Sequence, residues 1–116
     1  MSKNILIVDD ALEDLETMKT VLEKEGYEVT PVSDGAEAFD ILENDDFDLV
    51  LIDIKMPTLS GFDLLRLLRE KLNHKVKMMF VTIVPKDDVD MTDIDGFVQK
   101  PFDNETLLAE VKRLIE

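Results

Sequence analysis

The feature that most constrains the fold is an alternation along the chain. Short apolar runs are each followed by a longer segment whose apolar residues recur at three and four. Asn4 to Val8 (NILIV) reads as a strand, because an apolar run this short, closed by turn-forming residues, suits a strand covered on both faces. It stops at Asp9-Asp10. Asp10 with Glu13 has the pattern of a capping box, opening a helix that carries Leu12, Leu15, Met18, Val21 and Leu22, and Gly26 closes that helix. Tyr27 to Val32 reads as a weaker strand, after which Asp34 with Glu37 caps a second helix bearing Ala38, Phe39 and Leu42. Phe47 to Ile52 is the next apolar strand, ending at Asp53. Beyond Met56-Pro57, Ser60 with Asp63 caps a third helix with Phe62, Leu65, Leu68 and Leu72 on one face. Met78 to Val81, ending at Thr82, and Phe97 to Gln99, ending at Lys100-Pro101, complete the strands. Asp103 caps a last helix with Leu107, Leu108, Val111, Leu114 and Ile115.

Strands alternating with helices imply right-handed crossovers and a parallel sheet with helices on both faces, here an α/β sandwich of five strands. One crossover is thin. Between Thr82 and Lys100 only residues 84–95 can hold a fourth helix, and Pro85, several Asp and Thr92 are poor material for it. That helix is predicted to be short or irregular. No linker, low-complexity tract or repeat interrupts the pattern, so residues 1–116 read as one domain, a length that suits a single core.

Charge narrows the function classes. Against 13 Lys plus Arg stand 27 Asp plus Glu, a formal net charge of -14. Such a surface repels phosphate backbones and anionic lipid, which excludes loose salt-driven binding to nucleic acid. A multivalent cation or a basic partner is its natural complement. No apolar run is long enough to cross a bilayer and nothing resembles a leader, so cytoplasmic placement without membrane insertion is expected. His74, near Lys71 and Lys75, reads as a surface residue, and most Met and Phe fall at core positions.

In an open parallel sheet, ligands gather at the carboxyl ends of the strands, where strand order reverses. There this chain carries Asp9 and Asp10 after the first strand, Asp53 after the third, Thr82 after the fourth and Lys100 after the fifth. Singly, each has an ordinary structural role as a cap, turn or surface residue. Together they put three carboxylates, a hydroxyl and an ammonium on one edge. Two unit charges about 5 Å apart repel by roughly 3 kcal/mol at an effective dielectric of 20. A divalent cation with Lys100 offsets that cost, and all-oxygen ligation without His or Cys suits Mg²⁺.

These residues carry a resemblance. VDD at Val8 to Asp10, DIKMPTLSG from Asp53 to Gly61, the strand-end Thr82 and KPF at Lys100 to Phe102 make the chain similar to a two-component response-regulator receiver domain, of the stand-alone chemotaxis-regulator kind. The resemblance covers nearly the whole chain. It implies a flavodoxin-like, doubly wound sheet of order 2-1-3-4-5. It also implies that Asp53 is the phosphoacceptor, taking a phosphoryl group from a phosphohistidine. Mg²⁺ would be held by Asp53, by Asp10 directly, by Asp9 through water and by the backbone carbonyl of Lys55. Lys100 would neutralise phosphoryl oxygens, the Thr82 hydroxyl would bond one of them, and Phe97 would be the switch aromatic that turns inward when Thr82 moves.

The implied partners are a sensor histidine kinase or phosphotransfer protein and a downstream target protein. Such a domain is not an enzyme in the usual sense, since it acts only on its own phosphorylation and dephosphorylation. Since the sequence ends just after the last helix, output is expected through docking onto another protein.

Two positions depart from the family pattern. Ile83 follows Thr82 where a small residue is usual, and Val84 stands where a polar residue often orients water. The branched Ile83 is expected to crowd the phosphate's entry or its contact with Lys100, and with Val84 offering no polar group the phosphoryl group is expected to be long-lived. The thin fourth crossover leaves the family's usual mode of dimerisation open. Two other readings remain open: a receiver fold whose pocket is no longer used, serving as a binding module, and a Mg²⁺-dependent phosphohydrolase with an Asp nucleophile. The second is disfavoured because Asp9-Asp10 lacks an Asp-x-Asp spacing and the length leaves no room for a cap domain.

Overall fold

The computed structural model describes residues 2–72 and 76–116. His74 lies outside them. Strands β1 (Asn4–Val8), β2 (Glu28–Val32), β3 (Leu49–Ile52), β4 (Lys77–Thr82) and β5 (Gly96–Gln99) alternate with helices α1 (Leu12–Lys24), α2 (Gly35–Asn44), α3 (Gly61–Lys71) and α4 (Asn104–Ile115). All pairings are parallel and the order is β2-β1-β3-β4-β5. The expected doubly wound sheet is therefore the one observed, and its order reverses between β1 and β3.

The period of two along each strand splits the core. Leu6, Val8, Val50, Ile52, Met78 and Phe80 join one cluster with residues of α2 and α3, where Phe62 meets Phe80 edge-on at a centroid distance of 5.5 Å. Ile5, Ile7, Leu49, Leu51, Met79, Val81 and Val98 join the other with α1 and α4. Strands buried on both faces explain why their runs are continuously apolar rather than alternating.

Three of the four anticipated caps form. The carboxylates of Asp34 and Asp103 accept from the Glu37 and Thr106 amides at 2.7 and 2.8 Å, and the Ser60 hydroxyl accepts from the Asp63 amide at 3.2 Å. The start of α1 differs. Its N-cap is Ala11, without a side-chain bond, and the Ala11 amide donates to Asp9 Oδ1 at 2.9 Å instead. Asp9 supplies an Asx-type turn, which leaves Asp10 free of capping and exposed. Leu12, expected on the buried face, is 70% exposed, and burial along α1 starts only at Leu15.

The thin crossover holds only a 3-10 turn, Lys86–Asp88. Buried Val89 and Ile94 anchor it to the core. Arg69 of α3 clamps its far end, donating to the Asp93 carbonyl through Nε at 3.1 Å and Nη2 at 2.9 Å and to Asp95 Oδ2 at 3.2 Å. Packing and one guanidinium thus replace the helix that Pro85 and the Asp residues disfavour.

Candidate functional site

Register brings the site together. Val8 pairs with Ile52, and the Asp53 amide donates to the Val8 carbonyl at 2.9 Å, so Asp9 and Asp53 leave adjacent strands at one level. Oxygens of Asp9, Asp10 and Asp53 all lie within 4.8 Å of one another. Across the edge, the Lys100 amide donates to the Thr82 carbonyl at 2.8 Å, which continues the β4–β5 ladder and sets Lys100 level with the end of β4. The Lys100–Pro101 peptide is cis.

Lys100 Nζ reaches Asp9 Oδ2 at 2.6 Å and Asp53 Oδ2 at 3.6 Å. It also reaches Asp14 Oδ2 at 2.6 Å. Sequence reasoning did not single out Asp14, because in the first turn of α1 it looks like its neighbour Glu13, an acid favoured there by the helix dipole. Nothing local distinguishes it, since its partner Lys100 lies 86 residues away.

Burial pushes the Asp9 carboxyl up to about 6, against the lowering effects of Lys100 and the Ala11 amide, with Asp53 adding to the rise. Burial also opposes charge on Lys100, but the hydrogen bonds it donates to Asp14 and Asp9 and the attraction of Asp9 and Asp53 outweigh it, and its pKa is raised. Asp9 is thus a carboxylate whose ionisation costs free energy until more positive charge arrives. Three oxygen donors of this kind, one exposed and two buried, fit a small hard cation.

Asp53 is buried, and its Oδ1 accepts from the Lys55 amide at 3.3 Å. That bond fixes the loop after β3 so that Lys55 follows the carboxylate. Gly61 lies against the same turn. A Cβ there would stand 2.3 Å from the Asp53 carbonyl oxygen, so only glycine permits the approach that lets the Gly61 amide donate to Ile54 at 2.9 Å. Thr82 is fully buried, with Oγ1 accepting from the Val84 amide at 3.3 Å.

Residues 5–112 match the family model described as the response regulator receiver domain. The chain belongs to that family. Among curated relatives, the receiver is 38% identical over 117 residues to the aerobic respiration control protein ArcA of Escherichia coli strain K12, covering 97% of this chain and 48% of ArcA. It therefore spans about half the length of the curated relatives it matches. Among solved structures, it is 33% identical, with a TM-score of 0.88, to the response regulator protein TrrA of Thermotoga maritima in complex with Mg²⁺-BeF, covering 97% of this chain and 98% of TrrA. TrrA in complex with the histidine kinase ThkA matches with a TM-score of 0.89 at 33% identity, over 98% of this chain and 99% of that one.

Of the anticipated site residues, Asp9, Asp10, Asp53 and Lys100 converge in this receiver, and Thr82 borders them through the Lys100 amide. Phe97 does not enter the pocket. It is half-buried on β5, packs against the cluster of the α2 and α3 face, and its amide donates to Glu110 Oε2 of α4 at 3.0 Å. Among the described residues no helix is long and apolar enough to cross a membrane.

Proposed function

We propose that this receiver accepts a phosphoryl group on Asp53 from a phosphohistidine of a sensor histidine kinase or phosphotransfer protein, and signals to a downstream target protein. The observation that carries this reading is the clustering of Asp9, Asp10 and Asp53 oxygens within 4.8 Å, with Lys100 Nζ 3.6 Å from Asp53 Oδ2. The complexes of TrrA with Mg²⁺-BeF and with ThkA support it by similarity.

In the transfer, an Asp53 carboxylate oxygen attacks phosphorus, the new O–P bond forms as the P–N bond breaks, and the imidazole departs. Phosphoryl transfer asks the protein chiefly for in-line positioning and charge neutralisation. Lys100 neutralises phosphoryl oxygens, and the Thr82 hydroxyl, held now by the Val84 amide, is the donor that bonds one of them. Asp10 and Asp53 would hold Mg²⁺ directly, Asp9 through water, together with the Lys55 backbone carbonyl. When bound, the ion adds two positive charges where charge develops on the phosphoryl oxygens. Phe97 is proposed to turn when Thr82 shifts, a local charge event biasing a packed element.

Incubation with Mg²⁺ and acetyl phosphate tests the reading. The expected result is a mass gain of one phosphoryl group, lost in Asp53→Asn. No gain in the wild type points instead to a receiver fold used only for docking, and multiple turnover to a hydrolase.

A further inference from the structure

We infer that Asp14 is a positioning residue that competes with the phosphoryl group for Lys100 and so limits how tightly the site holds a phosphoryl-like anion. The inference rests on the phosphoacceptor reading of Asp53. An ammonium has three donors. Two of those of Lys100 make short, charge-assisted bonds of 2.6 Å to Asp9 and Asp14, while Asp53 stands a full ångström further away. A group on Asp53 would take the third donor and draw the ammonium toward it, at the expense of one of the two short bonds.

The two competitors are unequal. Asp9 is fully buried at the end of β1, its other oxygen held by the Ala11 amide, so losing Lys100 would leave a buried carboxylate without its cation. Asp14 lies on the rim of α1 with its side chain 41% exposed, and water replaces Lys100 there at little cost. Asp14 is therefore the partner given up. In the resting protein it holds a cation that is 90% buried away from the acceptor, and it places a further negative charge beside the incoming anion. A role limited to the helix dipole would be shared with Glu13, which occupies the same first turn.

The test measures the Kd for beryllofluoride at saturating Mg²⁺ in the wild type, Asp14→Asn and Glu13→Gln, together with the Lys100 ammonium signal by NMR without metal. Asp14→Asn is expected to bind beryllofluoride about two- to fivefold more tightly, the range of a partly exposed ion pair, and to shift the Lys100 signal. Glu13→Gln, which removes the same charge without touching Lys100, is expected to change neither. Equal affinity in wild type and Asp14→Asn, or an equal gain in Glu13→Gln, overturns this inference alone. A wild type that binds no beryllofluoride overturns the phosphoacceptor reading and this inference with it.

Discussion

Gly61 is packed so closely on the end of β3 that its missing Cβ would stand 2.3 Å from the backbone oxygen of Asp53 and 2.7 Å from Ile54 Cα. Both neighbours are backbone, so neither yields by a rotamer change. Gly61→Ala is expected to destabilise the protein by about 1–3 kcal/mol and to lower acetyl phosphate labelling of Asp53. Urea denaturation with mass spectrometry checks both, and an unchanged midpoint with full labelling would contradict the packing argument.

The buried Asp9 carboxyl gives the cation-free protein a pH dependence. Its folded pKa of about 6 lies above the roughly 3.9 of an unfolded Asp. The unfolded state therefore releases this proton first as pH rises, so the Asp9 contribution is intact below about pH 4 and is lost through pH 6, up to about 3 kcal/mol. Thermal midpoints measured without divalent cations should fall as pH rises from about 5 to about 7.5, and Asp9→Asn, which keeps an acceptor for the Ala11 amide, should flatten that fall. Mg²⁺ should restore stability at the upper end. A wild type and Asp9→Asn with parallel pH profiles would exclude Asp9 as the source.

Thr58, in the loop between Asp53 and Gly61, has a φ of 69°. A β-branched residue is strained in this left-handed region, whereas Asn tolerates it. Thr58→Asn is expected to stabilise the protein by about 1 kcal/mol, raising the melting temperature by roughly 4 °C. A lower melting temperature would mean that the Thr58 side chain offsets its backbone strain.

Arg69 holds the segment that stands in place of a helix between β4 and β5. Arg69→Ala removes its bonds to the Asp93 carbonyl and the Asp95 carboxylate, at an expected cost of about 1–2 kcal/mol. Hydrogen exchange should accelerate in residues 86–94 before it does in β1 or β3. Uniform acceleration across the sheet would instead mean that the clamp supports the whole fold.

Ile83 is 55% exposed and Val84 half-buried, directly after Thr82. Neither side chain offers a polar group to orient an attacking water. The aspartyl phosphate is accordingly expected to be long-lived, as followed by loss of the phosphoryl mass after removal of acetyl phosphate. A half-life of seconds at neutral pH would contradict this, and a shorter lifetime in Val84→Asn would locate the cause.

Much of this architecture was legible in the chain itself. Continuous apolar runs marked β1, β3 and β4 because a sheet covered on both faces leaves no polar alternation, and Asp34, Ser60 and Asp103 announced helix starts because capping depends on residues only three apart. Asp9, Asp10, Asp53 and Lys100 were readable as a group because parallel strands send their ends to one edge. What tertiary structure alone decided were contacts between residues distant in sequence. It turned Asp9 rather than Asp10 into the bond at the start of α1, buried it until its ionisation became costly, and brought Asp14 to Lys100 across 86 residues. Local pattern specifies elements through short-range hydrogen bonds and periodicity. Which of several similar acids meets Lys100 depends on the packing of α1 against β1, β2 and α4, and no spacing along the chain encodes that distance.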